Sequence, residues 1–185
     1  MRKFLSTIAA GAVALSALAS VAYAENPMVG GAAMPADKNI VENAVNSADH
    51  TTLVAAVKAA GLVETLQGDG PFTVFAPVND AFAALPAGTV ETLLKPENKD
   101  QLTKILTCHV VGAKAFAADI KKMIDDDKGE HPVKTVGGCV WTAKYDGDKI
   151  MVIDENGNAA NVTIANVEQS NGVIHVVDKV LLPKM

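Results

Sequence analysis

Two apolar motifs, about ninety residues apart, constrain the fold of this chain more than any other feature. The first, T-V-F-A-P-V-N-D-A-F, runs from Thr73 to Phe82, and the second, N-G-V-I-H-V-V-D-K-V-L-L-P, runs from Asn171 to Pro183. The second motif is too continuously apolar for a strand with one face in water. We therefore expect a strand that is covered on both faces.

The first motif predicts a core strand followed by a short helix. Thr73 and Phe75 belong to the strand, and Pro77 ends its hydrogen bonding because proline has no N–H. Asn79 and Asp80 can cap the following helix with a side-chain oxygen. These residues are therefore interpreted first as elements of folding.

The second motif begins with a turn and continues as a buried strand. Asn171-Gly172 predicts the turn, because both residue types tolerate a positive φ. His175 and Asp178 are the polar exceptions in a run that ends at Pro183. We interpret His175 as a hydrogen-bonded core or edge histidine and not as a ligand.

Residues 1–24 predict a cleavable secretory signal peptide of a bacterial type. Arg2 and Lys3 form a positive start, an alanine-rich apolar run extends from Phe4 to about Val21, and Ala22-Tyr23-Ala24 offers an A-x-A cleavage site. The apolar core is short and no stop-transfer pattern follows, so we expect no transmembrane segment in the mature chain. The predicted location is the periplasm or the outside of the cell.

The composition argues against nucleic acid as a partner. The 185-residue chain has a net charge of −5, and loss of Arg2 and Lys3 with the signal peptide takes it to −7. The mature chain would contain no arginine, the residue favoured for bidentate phosphate and base contacts. Its acidic balance also argues against electrostatic binding to anionic lipid.

The two cysteines, Cys108 and Cys139, predict a disulfide, since an even count is typical of exported proteins. Closing a loop of this length would stabilise the fold by about 3–4 kcal/mol in the chain-entropy model. Two buried free thiols remain an alternative. A zinc site is disfavoured because the spacing matches no zinc pattern.

The mature chain predicts one α+β domain over residues 38–184, preceded by a flexible leader at 25–37 that is rich in Gly, Ala and Pro. Helices dominate its first half and strands its second half, which argues against alternating βαβ units. Helical patterns cover residues 39–47, 51–60, 62–66, 79–84, 89–94, 100–107 and 115–123. Strand patterns cover residues 72–75, 108–111, 133–136, 140–144, 149–153, 161–165, 173–177 and 179–182.

The motifs resemble those of the fasciclin (FAS1) domain family over residues 38–183. Besides the two motifs, the run from Thr52 to Leu66 is similar to the family's opening helices, and Gly70 to Pro77 to the entry of its first signature box. Val133 to Gly138 is similar to a mid-domain strand and turn. The resemblance implies a β-wedge or sandwich of about seven strands with several helices packed around it. It also implies a secreted adhesion and interaction module.

A tyrosine–histidine segment linked to adhesion in the family resembles Leu106 to Val111 here. His109 matches the family histidine, whereas Cys108 occupies the tyrosine position. A second adhesion-linked patch corresponds to Ala165-Asn166-Val167, which lacks the family's acidic residue. The predicted contact residues lie on this segment and on the helix of the first motif: His109, Val110, Val111, Asn79, Asp80 and Phe82.

The sequence contains no recognisable catalytic constellation, cofactor fingerprint or zincin spacing. We therefore predict a protein that is not an enzyme, needs no cofactor or metal, and binds a protein, matrix or cell-surface component in adhesion. The alternative is a periplasmic carrier or sensor of a small apolar or aromatic molecule.

Overall fold

The computed structural model describes residues 26–184, so the signal-peptide prediction lies outside the described residues. Within this part of the chain, no helix is both long and apolar enough to cross a membrane. The helices are α1 Ile40–Ala44, α2 Thr51–Ala60, α3 Val63–Gln67, α4 Asn79–Ala83, α5 Thr89–Leu93, α6 Lys99–Cys108 and α7 Ala117–Asp126. The strands are β1 Met28–Val29, β2 Ala32–Ala33, β3 Phe72–Pro77, β4 Val110–Val111, β5 Glu130–Lys134, β6 Val140–Asp146, β7 Lys149–Ile153, β8 Ala159–Gln169 and β9 Gly172–Val177.

The two sequence motifs supply neighbouring central strands of one sheet. Seven strands pair in the order β4-β3-β9-β8-β7-β6-β5, which confirms the predicted α+β class and strand number. β3 and β9 pair in parallel, with Thr73 opposite Val173 and Phe75 opposite His175. The other neighbouring pairs are antiparallel. Distant segments of the chain therefore meet at the middle of the molecule.

All six residues of β9 are buried, because a separate core lies on each face of the β3–β9 pair. Val74 and Ile174 face a first core built with α1–α6. Phe75 and Val177 face a second core that contains Trp141 of β6 and Ile124 of α7. Because side chains alternate along a strand, neighbouring residues face different cores, and the residues on both faces of the strand must therefore be apolar.

The segment after β9 differs from its prediction. Residues 179–182 form no strand, and individual hydrogen bonds hold this segment in place. The N–H of Leu181 donates to His109 Nε2 at 3.0 Å, and that of Leu182 donates to Asp154 Oδ2 at 3.0 Å. Side chains of the core thus replace a neighbouring strand as partners of this apolar tail.

Part of the segment that was predicted as a flexible leader forms regular structure. β1 and β2 form a small antiparallel hairpin, and the side chains of Val29 and Met34 beside it are only 2% exposed. Gly30 at its turn has φ +58°, and its carbonyl accepts from Ala48 N at 3.1 Å. The Gly- and Pro-rich composition indicated flexibility, but the apolar surface of the first core requires a cover that these two side chains provide.

The structure confirms the disulfide between Cys108, at the end of α6, and Cys139, just before β6. Both cysteines are buried, with their Cα atoms 5.5 Å apart. The indole Nε1–H of Trp141 donates to the carbonyl of Cys108 at 2.5 Å. The bond and the indole together attach the end of α6 to the second core.

Reducing the Cys108–Cys139 bond should lower the free energy of unfolding by about 3–4 kcal/mol, because the unfolded chain regains the entropy of an open loop. Urea unfolding of oxidised protein and of the Cys108→Ala/Cys139→Ala variant measures the difference. Two free thiols, found by mass spectrometry of protein taken from its native compartment, would contradict the bond.

Candidate functional site

The predicted contact residues do not form one exposed patch. His109, Val110 and Phe82 are buried, Val111 and Asn79 are half-buried, and only Asp80 is well exposed. A side chain with almost no exposure cannot touch a partner in this conformation. Direct contact by the three buried residues stays a prediction, and it would require a conformation in which their side chains are exposed.

His109 acts as an internal connector between α6 and the tail after β9. Its Nδ1–H donates to the carbonyl of Ile105 at 2.8 Å, and its Nε2 accepts from Leu181 N at 3.0 Å. This pairing requires the neutral ring, since a protonated Nε2 could not accept. Burial lowers the pKa of His109 to about 4, against the weaker opposing effect of the Ile105 carbonyl.

His175 is a second buried imidazole with both ring nitrogens occupied. Its Nε2–H donates to the carbonyl of Ala115 at 2.9 Å, and Nδ1 accepts from Asn166 N at 3.3 Å. The ring stacks on Phe75 with 5.8 Å between centroids. Burial lowers the pKa of His175, so it too is kept neutral by its surroundings.

The patch Ala165-Asn166-Val167 serves internal contacts at an irregularity between β8 and β9. Asn166 has φ +61°, a conformation that asparagine tolerates better than most residues. Its Oδ1 accepts from Ala117 N at 2.7 Å, at the start of α7. The asparagine therefore positions α7 as well as His175.

Asn79 caps a helix, but a different helix from the one expected. The residue before α4, Val78, makes no side-chain cap, and Asn79 lies inside α4. Its Oδ1 accepts from Thr52 N at 3.0 Å, and its Nδ2 donates to Ala48 O at 2.8 Å. The Asn79 side chain thus caps the N-terminus of α2. Asp80, the other residue that was predicted to cap α4, is exposed to solvent.

Asn171 and Asp178 lie just before and just after β9 and hold its two ends with hydrogen bonds. Asn171 Oδ1 accepts from Ile40 N at 3.1 Å, and its Nδ2 donates to Leu66 O at 2.8 Å, which attaches α1 and α3 to β9. Asp178 accepts from the backbone and side chain of Asn161 at 2.7 and 3.0 Å. Both polar residues are thereby accounted for by folding.

Three further motif residues also have structural contacts. A Cβ on Gly172 would lie 2.1 Å from the carbonyl oxygen of Phe72, so only glycine fits where β9 meets β3. Thr73 Oγ1 donates to Ala113 O at 2.5 Å and accepts from Ala115 N at 2.9 Å. Pro183 is buried near the end of the tail.

Two exposed apolar residues lie beside these buried connectors, at the edge of the sheet. Val136, on the turn between β5 and β6, is 53% exposed, and Val140, the first residue of β6, is 44% exposed. The N–H of Val136 donates to the carbonyl of Val110 at 2.7 Å, which places the turn against β4. We call this region the edge surface and define it by Val111, Gly112, Ala113, Lys114, Val136 and Val140.

Sequence reasoning missed Val136 and Val140, although one signal was available. Val140 precedes Trp141, which is fully buried, and neighbouring residues on a strand face opposite sides. Burial of the tryptophan therefore implies exposure of the valine. The predicted contacts Val110 and Val111 lie next to this surface, and their segment supplies its backbone.

Two cavities differ in the space they offer. The first, about 50 Å³, lies among the hairpin, α1, α2 and the β3–β9 pair and is lined almost wholly by apolar side chains. The second, about 280 Å³, lies in the gap between β4 and β5 under α7. Pockets for small molecules usually measure about 300–1,000 Å³, so only the second approaches that size.

No group of three or more metal-ligating side chains comes together within residues 26–184. The buried imidazoles of His109 and His175 each have protein partners at both ring nitrogens.

Comparison with known proteins gives consistent matches. The sequence matches the model of the Fasciclin domain family over residues 48–183. It is 52% identical over 161 residues to Protein sll1483 of Synechocystis sp., covering 87% of this chain and 82% of that protein. It is 33% identical to immunogenic protein MPB70 of Mycobacterium bovis, with 98% of each chain covered.

Other matches are to animal proteins. The chain is 36% identical to the transforming growth factor-beta-induced protein ig-h3 of Sus scrofa, covering 71% of this chain but 17% of that protein. The fold resembles a solved FAS1 domain pair of the insect cell adhesion molecule Fasciclin I, with a TM-score of 0.70 and 18% identity. That likeness covers 78% of this chain and 51% of the solved chain, about half its length.

Replacing Asn79 with alanine should destabilise the protein by about 1–2 kcal/mol, because the N-terminus of α2 loses its cap. The neighbouring Asp80→Ala is the matched control, and as an exposed change it should alter the free energy of unfolding by less than about 0.5 kcal/mol. Denaturant unfolding measures both. Equal effects of the two substitutions would exclude the capping role of Asn79.

His109 should make the fold sensitive to mild acid. Its folded pKa of about 4 lies below the usual value of 6.5, so its contribution is complete above pH 6.5 and is lost as the pH falls through 4. The difference corresponds to about 3 kcal/mol. Unfolding free energies of wild type and His109→Gln, measured from pH 7 to pH 4, should converge by about this amount. Parallel curves for the two proteins would contradict the assignment.

Proposed function

Because the chain belongs to the fasciclin domain family, we propose that it is an interaction module that binds a protein, matrix or cell-surface component through the edge surface. The role is adhesive and non-enzymatic. The names of two matched proteins support this role. One match is to a cell surface glycolipoprotein, MPB83 of Mycobacterium bovis, and another is to an insect cell adhesion molecule. The signal-peptide pattern supports export to the periplasm or beyond.

The observation that carries this proposal is the exposure of two neighbouring valines. Within the described residues, the large apolar side chains that are well exposed are Met28, Val45, Val136 and Val140. Two of the four lie where β5 connects to β6: Val136 on the turn, which the hydrogen bond to Val110 places beside the short edge strand β4, and Val140 at the first residue of β6. Clustered exposed apolar surface rimmed by polar groups is typical of interaction sites, whereas isolated exposed residues are ordinary.

Charged side chains of both signs lie around this apolar centre, among them Glu155, whose Oε1 accepts from Val140 N at 3.0 Å. Lys104 Nζ donates to Gly137 O at 2.5 Å, on the turn that carries Val136. Lys114 pairs with Glu168 at 2.6 Å, and Lys134 lies opposite Val140 in the strand register. A charged rim around an apolar centre is the usual arrangement of a non-obligate protein interface.

The buried residues that the family resemblance indicated then have a supporting role. The Cys108–Cys139 bond and the hydrogen bonds of His109 fix α6 and the start of β6, and these segments flank the edge surface. Rigid support reduces the entropy lost on binding. A single domain offers one such surface, so adhesion requires oligomers or many copies on one cell.

A cross-linking pull-down with the mature protein tests the proposal. The Val136→Ser/Val140→Ser variant should recover at least about 10-fold less of a specific partner, since interface anchors usually contribute more than 1 kcal/mol each. The matched control is Met28→Ser/Val45→Ser, which changes the other two exposed apolar residues. Equal recovery by both variants, or no specific partner with wild type, would refute the edge surface as the binding site.

A further inference from the structure

The first cavity lies under the N-terminal hairpin and reaches the surface between helices. Val29 of the hairpin and Met34 just after it are buried and form part of its wall. Its half-buried lining residues lie on three neighbouring helices: Ala44 of α1, Val54 of α2 and Val63 of α3. The opening of the cavity therefore lies among these three helices, far along the chain from the residues of the edge surface.

A buried polar atom without a partner lies at this cavity. His50 is 3% exposed and belongs to the cavity wall, and its Nδ1 pairs with Ser47 Oγ at 2.9 Å. Its Nε2 has no hydrogen-bond partner among the described residues. Burial lowers the pKa of His50, and the Ala76 carbonyl is near enough to oppose this shift, but it forms no hydrogen bond of ordinary geometry with Nε2. Buried polar groups are nearly always paired, so this nitrogen requires an explanation.

An ordered water molecule would be a poor partner for this nitrogen. A buried water usually makes about three hydrogen bonds. Apart from His50, the cavity is lined by apolar side chains, by His109, whose two ring nitrogens are already occupied, and by the exposed Lys58. A molecule with an apolar body and one hydrogen-bonding group therefore matches this wall better than water does.

A hydroxyl is the group that pairs with Nε2 in either tautomer of the ring. If the Ser47 hydroxyl donates to Nδ1, Nε2 carries the proton and donates; if Nδ1 donates to Ser47, Nε2 accepts. A hydroxyl can accept in the first case and donate in the second. An anion fits less well, because a buried charge beside a neutral imidazole would have no counter-charge, and the ammonium of Lys58 lies at the exposed rim.

Met34 can supply the space that a ring-sized ligand needs. The cavity measures about 50 Å³, whereas an engineered apolar cavity that binds benzene measures about 150 Å³. Methionine is unbranched and adapts to irregular space more readily than other apolar side chains. The strands beside it, β1 and β2, pair only with each other. Displacement of the Met34 side chain therefore enlarges the cavity without breaking a ladder of the main sheet.

We propose that the first cavity binds a compact, neutral, mainly apolar molecule with one hydroxyl, of the size of a phenol, with the hydroxyl on His50 Nε2 and the side chain of Met34 displaced. This goes beyond the interaction function proposed above and gives the carrier alternative a site and a ligand class. It is independent of the edge surface, because none of the six residues that define that surface lines this cavity.

Isothermal titration of the mature protein with phenol, toluene and benzoate tests the proposal. Phenol should bind saturably and raise the melting temperature with concentration, and benzoate should bind more weakly. His50→Phe keeps a ring but removes the nitrogens, so it should weaken phenol binding by about 5-fold or more and leave toluene binding unchanged. His50→Gln, whose amide can reach the position of Nε2, should restore phenol binding. The matched control is His131→Phe, outside this cavity, which should bind phenol as wild type does.

Two further variants locate the ligand. Met34→Ala should tighten the binding of both phenol and toluene, because it enlarges the cavity. Ala44→Phe should block the opening among the helices, and Ala55→Phe, on the exposed face of α2, is its control.

Four results would each overturn the proposal: no saturable binding of phenol to wild type, tighter binding of benzoate than of phenol, equal effects of His50→Phe on phenol and toluene, or unchanged phenol binding by Ala44→Phe. Partner capture by Val136 and Val140 is measured in a separate pull-down with different variants. Either proposal can therefore fail alone.

Discussion

The parallel pairing of β3 with β9 is the contact on which the rest of the structure depends. It joins segments about a hundred residues apart in the chain and places a core on each of its faces. Parallel neighbours have to be buried on both sides, so the helices α1–α6 cover one face, and the curled sheet with α7 covers the other. Gly172 approaches the Phe72 carbonyl so closely that the pairing leaves no space for a side chain at position 172. Every candidate site described above lies on an element that this pair positions.

Buried polar side chains connect the outer elements to that pair. Asn79 caps α2, Asn171 holds α1 and α3, and the neutral imidazoles of His109 and His175 hold the tail and the loop before α7. Amides and neutral imidazoles can satisfy buried backbone groups without the desolvation cost of an ion. The use of neutral imidazoles also makes the fold sensitive to acid, because protonation of a buried imidazole removes a hydrogen-bond acceptor and adds a charge. Residues that resemble an adhesion motif in sequence thus have a stabilising role in the interior.

The proposed interaction surface lies where the sheet fails to close. Closure into a barrel would leave no edge, but within the described residues no ladder pairs β4 with β5, and one hydrogen bond, from Val136 N to the Val110 carbonyl, links the ends of these strands. On the outside of this junction lie the exposed valines and the charged side chains around them, and on the inside lies the cleft beneath α7. The incomplete barrel therefore leaves both an exposed edge and a cavity at one junction. The disulfide joins the end of α6, at Cys108, to Cys139 just before β6, and these segments border the junction.

Local patterns in the sequence determined the helices, most of the strands, the paired cysteines and the membership of a family. The helix predicted at residues 51–60 is α2, because side-chain periodicity and the glycine after it are local properties. Tertiary structure alone decided that His109 is buried by Leu181, 72 residues away, that Asn79 caps α2, and that Val29 and Met34 cover the first core. It also decided which valines are exposed and that a cleft separates β4 from β5. The physical reason is that burial depends on which distant surfaces pack together, and neither periodicity nor composition encodes that pairing residue by residue.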